Sequence, residues 1–115
     1  MKKFCFALDL IDDEKLIEEY IIHHKNVWKE IEDSFKSSGI NNLFIYNIEN
    51  RLFMIMFTED DFSLEKKTNN DLNNPKIQEW ERLMSRFQKL LPNTKKGTKW
   101  RLMNEIYHFS NNLKA

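Results

Sequence analysis

Leu43-Phe-Ile-Tyr-Asn-Ile-Glu-Asn-Arg-Leu-Phe-Met-Ile-Met-Phe57 is the stretch that decides the architecture of this chain. Two β-prone runs, residues 43–46 and 52–57, flank a polar connection in which Glu49-Asn50 can form a tight turn, so the segment reads as a hairpin. Both runs are apolar on both faces. Leu43 and Ile45 oppose Phe44 and Tyr46, and Leu52, Met54 and Met56 oppose Phe53, Ile55 and Phe57. A half-exposed antiparallel strand alternates apolar with polar residues instead, so this hairpin is expected to be covered on both sides.

Working outward toward the N-terminus, Phe4, Phe6, Leu8 and Leu10 alternate with Cys5, Ala7 and Asp9, a period of two that predicts a strand. Asp12 and Asp13 offer an N-cap. Leu16, Tyr20, His24, Val27, Trp28, Ile31 and Phe35 then follow one helical period, which predicts a single long helix stopped at Ser37-Ser38-Gly39. Toward the C-terminus, Asp60 or Asp61 is expected to cap a short helical turn through Phe62 and Leu64, and residues 69–74 read as an asparagine-rich loop. Asn74-Pro75 is a cap followed by a favoured first helical residue. Ile77, Trp80, Leu83, Met84, Phe87, Leu90 and Leu91 form the apolar face of a second long helix closed by Pro92. After the polar turn Lys95-Lys96-Gly97, residues 100–109 read as the last strand. The order is β-α-β-β-α-β, a ferredoxin-like α+β fold with an antiparallel sheet, in one domain spanning residues 1–115. Two helices cover only one face of such a sheet. A second copy packed sheet to sheet, a homodimeric α/β barrel, is the economical cover for the other.

Composition narrows the function classes. The 115 residues hold 18 Lys and Arg against 18 Asp and Glu, interleaved along the chain, so no basic footprint for nucleic acid or an anionic membrane is present. Asp9 ends the first apolar run too early for a signal-peptide core, and no later run approaches the length of a membrane span, which points to a cytoplasmic protein. Cys5 is alone, which excludes an intramolecular disulfide, and the alternation around it reads as a buried strand thiol rather than a nucleophile. His23 and His24 are adjacent on a predicted helix and point about 100° apart. They show no metal-ligand spacing, so neither metal nor cofactor is expected.

Within the first helix, Tyr20, His24 and Trp28 recur every four residues, which stacks a phenol, an imidazole and an indole on one stripe. A helical aromatic stripe is ordinarily core. The same three groups also suit a polyol pocket, where one grips hydroxyls, one moves protons near neutral pH and one stacks on a sugar face.

Several segments together resemble the L-rhamnose mutarotase family: Glu18-Glu-Tyr-Ile-Ile-His-His-Lys-Asn-Val-Trp28, Gly39-Ile-Asn-Asn-Leu-Phe-Ile-Tyr46, the hairpin strand through Phe57, Asn74-Pro-Lys-Ile-Gln-Glu-Trp-Glu-Arg-Leu-Met84, and Lys99-Trp-Arg-Leu-Met-Asn-Glu-Ile-Tyr107. The resemblance runs over nearly the whole chain in the same order. It implies that His24 is the proton donor, that Tyr20 binds the sugar and that Trp80 binds it too; Trp28, on the same stripe, is open between a pocket wall and core. It also implies two departures: Leu43 stands where the rhamnose enzymes carry a sugar-contacting tyrosine, and Glu81 where they carry a second tryptophan. The expected activity is interconversion of the α and β anomers of a deoxy sugar such as L-rhamnose or L-fucose. Opening the ring requires a proton to leave the anomeric hydroxyl and one to reach the ring oxygen, a transfer for which a positioned imidazole typically contributes roughly 10²–10⁴-fold. Glu105, placed by strand alternation beside Met103 and Tyr107, is a candidate sugar contact and complementary base, with Asp9 or water as alternatives. Two other classes remain open from the residues: a cofactor-free monooxygenase or haem-binding protein on the same dimeric barrel, and a non-catalytic ferredoxin-like binding module.

Overall fold

The computed structural model describes residues 1–111. Its elements are β1 (Lys2–Leu10), α1 (Glu14–His23), α2 (Lys29–Ser38), β2 (Ile40–Ile48), β3 (Arg51–Thr58), α3 (Leu64–Leu72), α4 (Pro75–Ser85), β4 (Gln88–Lys89) and β5 (Arg101–Leu102). The sheet is antiparallel and open, in the order β2-β3-β1-β4, with β5 also paired to β1. The hairpin forms as expected: Phe44 faces Ile55 and Tyr46 faces Phe53, and Glu49 at the turn takes a positive φ of 51°. β1 lies against β3 with Phe6 opposite Met54 and Leu8 opposite Leu52. This is the predicted β-α-β-β-α-β frame with one helix divided in two and a short helix added.

The helices cover one face only. Phe4, Phe6, Leu8 and Leu10 of β1 point into it, joined by Leu52 and Met56, and the main core is completed by Tyr20, Ile31, Ile77, Trp80, Met84 and Phe87. Burying a side chain of this size contributes about 1.5–3 kcal/mol, so this cluster carries most of the stability. The opposite face is apolar and open to solvent. Phe44 stacks on Tyr46 and meets Phe57 edge-on, and Tyr46 stacks on Phe53, all with centroids 6.4 Å apart, while Phe44, Tyr46 and Ile48 remain exposed. Cys5, expected to be buried, is half-buried, because β1 directs its odd-numbered side chains to that uncovered face.

Four local expectations change. The single long helix is two, α1 and α2, separated at residues 24–28. At the break the ring of His24 bonds the Tyr20 carbonyl, the group that the His24 amide would take in a continuing α-helix, and that amide turns to Ile21 instead. A side chain stands where a backbone donor would be, and the last turn tightens to i→i−3 bonds. The asparagine-rich stretch is mostly helix α3, capped by Ser63 rather than Asp60 or Asp61 and braced by the Lys67–Asp71 ion pair one helical turn apart. α4 stops at Ser85, and Gln88–Lys89 pairs with Leu10 and Asp9 as an edge strand. The last strand is only Arg101–Leu102, followed by a bond from the Met103 amide to the Cys5 carbonyl. Residues 103–111 then run without regular structure, exposing Ile106, Tyr107 and Phe109. Gly39 ends α2 in the left-handed conformation at φ 90°, as its position in the sequence required.

Candidate active site

The site is assembled where α1 breaks. Asp13 caps the start of α1 by accepting the Leu16 amide, and the helix carries Tyr20 and His24 to its C-terminal end over the sheet. The Nδ1–H of His24 donates to the Tyr20 carbonyl at 2.8 Å, and the two rings lie 4.5 Å apart between centroids. α4, capped by Asn74, brings Trp80 edge-on to His24 at 5.7 Å. Tyr20, His24 and Trp80 line one broad groove of about 1260 Å³, whose floor includes Met54 and Met56. Sites for small ligands typically enclose about 300–1,000 Å³, so this groove is large enough for a small ligand and does not close over one.

Not every residue expected at the site reaches it. Trp28 does not line the groove: as N-cap of α2 it lies edge-on to Trp80 at 5.1 Å, with the Lys76 ammonium 4.7 Å over its ring. It buttresses the groove wall from behind. Glu105 stands on the exposed segment after β5, 3.8 Å from both the Lys3 ammonium and the His108 ring, outside the groove. Asp9 is held by Arg51 through bonds of 2.9 and 3.3 Å on the outer face of the sheet. His23 turns its ring to Phe87, 5.5 Å away.

Two polar groups in the groove were not signalled by any spacing. Gln88 donates its Nε2–H to the Tyr20 hydroxyl at 3.3 Å, while its buried Oε1 has no partner. It was expected inside the second helix, where nothing would have aimed it at Tyr20. Lys99 reaches back to Glu81, 2.8 Å from the carboxylate and 2.8 Å from its main-chain carbonyl. The departure at Glu81 is therefore a charged pair on the groove wall.

Burial dominates the electrostatics. It pushes the Tyr20 phenol up to about 12, with the Glu81 charge adding to the effect and the Gln88 bond opposing it. Tyr20 thus keeps its proton and has an O–H available to donate. Burial also lowers His24 below the ordinary imidazole value of 6.5, against the raising effect of the Tyr20 carbonyl bond and with a further lowering from His23. Among the described residues, no three or more His, Cys, Asp or Glu side chains gather as a metal site, and no helix is long and apolar enough to cross a membrane.

Comparison with known proteins accords with this geometry. A sequence profile of L-rhamnose mutarotase matches residues 3–109. An L-fucose mutarotase from Xanthomonas campestris pv. campestris is 40% identical over 112 residues, covering 96% of this chain and 90% of that one. The crystal structure of an L-rhamnose mutarotase from Formosa agariphila superposes with a TM-score of 0.71 at 18% identity, covering 96% of this chain and all of that one. A dimeric ferredoxin-like protein from an uncultured marine organism shares the fold at a TM-score of 0.53 and 11% identity, covering 94% and 91%. With the profile spanning nearly the whole chain, the protein belongs to the L-rhamnose mutarotase family and is a sugar mutarotase, an enzyme of the isomerase class.

Proposed function

We propose that this mutarotase acts on a 6-deoxy sugar of the L-fucose or L-rhamnose type, with His24 moving the proton, Tyr20 donating a hydrogen bond to a sugar oxygen and Trp80 offering an apolar wall. The observation that carries this reading is the cluster of Tyr20, His24 and Trp80 on one groove, with rings 4.5 and 5.7 Å apart. L-Fucose is favoured by the 40% identity to an L-fucose mutarotase. In the reaction the ring oxygen gains a proton, the anomeric hydroxyl loses one, C1–C2 rotates in the open aldehyde, and the ring closes on the other face.

The working form is a homodimer. Phe44, Tyr46 and Ile48 on the outer sheet face, with Ile106, Tyr107 and Phe109 beyond β5, are exposed apolar surface of the kind that marks an interface between proteins. Cytoplasmic monosaccharide metabolism is the setting that fits a balanced charge and a metabolic family. Two-dimensional exchange NMR on L-fucose, L-rhamnose and a panel of other monosaccharides tests the reading. Anomeric exchange accelerated for at least one 6-deoxy sugar is expected, and no acceleration for any sugar would refute it.

A further inference from the structure

We infer that His24 works first as a base and then as the donor: its bare Nε2 takes the anomeric proton and passes the same proton to the ring oxygen. The inference rests on the mutarotase reading above and needs no separate carboxylate base.

The geometry comes first. A carbonyl oxygen only accepts hydrogen bonds, so the 2.8 Å contact between Nδ1 of His24 and the Tyr20 carbonyl places the proton on Nδ1. In the neutral ring Nε2 is then an unprotonated lone pair. No group among the described residues bonds it. The arrangement is built into the helix end, because the Tyr20 carbonyl is vacant for the ring only where α1 stops and the His24 amide turns to Ile21. Burial, which lowers the imidazole below 6.5, keeps the resting ring neutral. A resting neutral ring cannot donate from Nε2, so the donor must be loaded by the substrate.

Most of the other groups that could serve are engaged elsewhere. The Tyr20 phenol, pushed up to about 12, holds its proton. Glu81 on α4 is tied to Lys99, Asp71 on α3 to Lys67 and Asp9 to Arg51, Glu105 lies outside the groove, and Glu32 is an exposed carboxylate on the first turn of α2, beyond the break that holds His24. The titratable groups that share the groove with His24 are Tyr20 from α1, Glu32 and Lys36 from α2, the paired Lys67 and Asp71 from α3, Glu81 from α4, and Lys95, Lys99 and Arg101 from β5 and the segment before it, with His23 beside His24 on α1, while β3 presents only Met54 and Met56.

The step balances without a second group. The O1–H bond breaks as Nε2–H forms. The electron pair left on O1 becomes the carbonyl, C1–O5 breaks with its pair going to O5, and Nε2–H breaks to deliver the proton there. O1 and O5 are both bonded to C1, so one nitrogen can serve both. Closure on the other face runs the same steps backward and returns a neutral ring.

Two measurements on the intact enzyme test this. Long-range ¹H–¹⁵N NMR of the His24 ring is expected to show the Nδ1–H tautomer with a bare Nε2 at pH 7. The exchange rate is expected to rise with pH below 6.5 and stay flat from pH 7 to 8.5, the profile of a base that must be neutral. An Nε2–H tautomer overturns the inference. So does a rate that falls roughly tenfold per pH unit above the imidazole pKa, the behaviour of a resting imidazolium donor. Accelerated exchange with that falling limb defeats the shuttle alone, whereas acceleration of no sugar defeats the mutarotase reading and the shuttle with it.

Discussion

Tyr20→Phe removes one oxygen from a side chain that is 3% exposed, and the structure sets what that should do. The phenol's bond to Gln88 is long, at 3.3 Å, and the other end of that amide, Oε1, is already buried without a partner. A neutral hydrogen bond contributes about 0.5–1.5 kcal/mol net, and a buried donor left without an acceptor costs about 1–3 kcal/mol. The length of the bond and the relief of no longer desolvating a hydroxyl both argue for the lower end. Tyr20→Phe should therefore destabilise by about 1–2 kcal/mol, or a fall in Tm of roughly 4–8 °C for a chain of this length. Gln88→Leu removes the unpaired Oε1 together with the donor and should be near neutral. The double variant should be less unstable than Tyr20→Phe alone, with a coupling of about 1 kcal/mol. Urea unfolding at one fixed protein concentration measures all four corners of the cycle. Additivity within about 0.3 kcal/mol would mean that Gln88 does not hold the phenol, and the donor role assigned to Tyr20 would lose its structural basis.

Trp80→Phe keeps an aromatic wall against Trp28 and should fold, but the smaller face should raise the apparent KM for the exchanged sugar several-fold while kcat moves little; an unchanged KM would make Trp80 core only. The protein should sediment as a dimer at micromolar concentration, and Tyr46→Lys, a charge on the exposed sheet face, should shift it to monomer; a monomeric wild type would defeat the sheet-to-sheet cover. Because the folded pKa of His24 lies below the unfolded 6.5, the unfolded chain binds that proton more tightly, so the contribution of this site is fully present above pH 6.5 and is lost as pH falls below it. His24→Gln should accordingly flatten the acid side of the stability curve between pH 6.5 and 5, and an acid limb identical to wild type would contradict the burial assigned to the ring.

The sequence determined by itself what depends on local period and on single residues. The alternation of Phe4, Phe6, Leu8 and Leu10, the two-faced hairpin and the caps at Asn74 and Gly39 all reappear in the structure, because each is set by neighbours a few positions away. The spacing of Tyr20 and His24 likewise placed both rings together one turn apart. Helix lengths were not legible. A continuing apolar period cannot reveal that the helix ends at residue 24 with a histidine ring on the Tyr20 carbonyl, nor that the segment after Ser85 pairs with β1 instead of continuing α4. The tertiary structure alone decided which distant groups meet. It set Gln88 on Tyr20 across 68 positions and Lys99 on Glu81 across 18, withdrew Trp28 behind Trp80, and left Glu105 outside the groove. The physical reason is range: caps and periods act within a turn or two, whereas the protonation and hydrogen bonding of a site depend on burial and on partners that only the packed chain brings into contact.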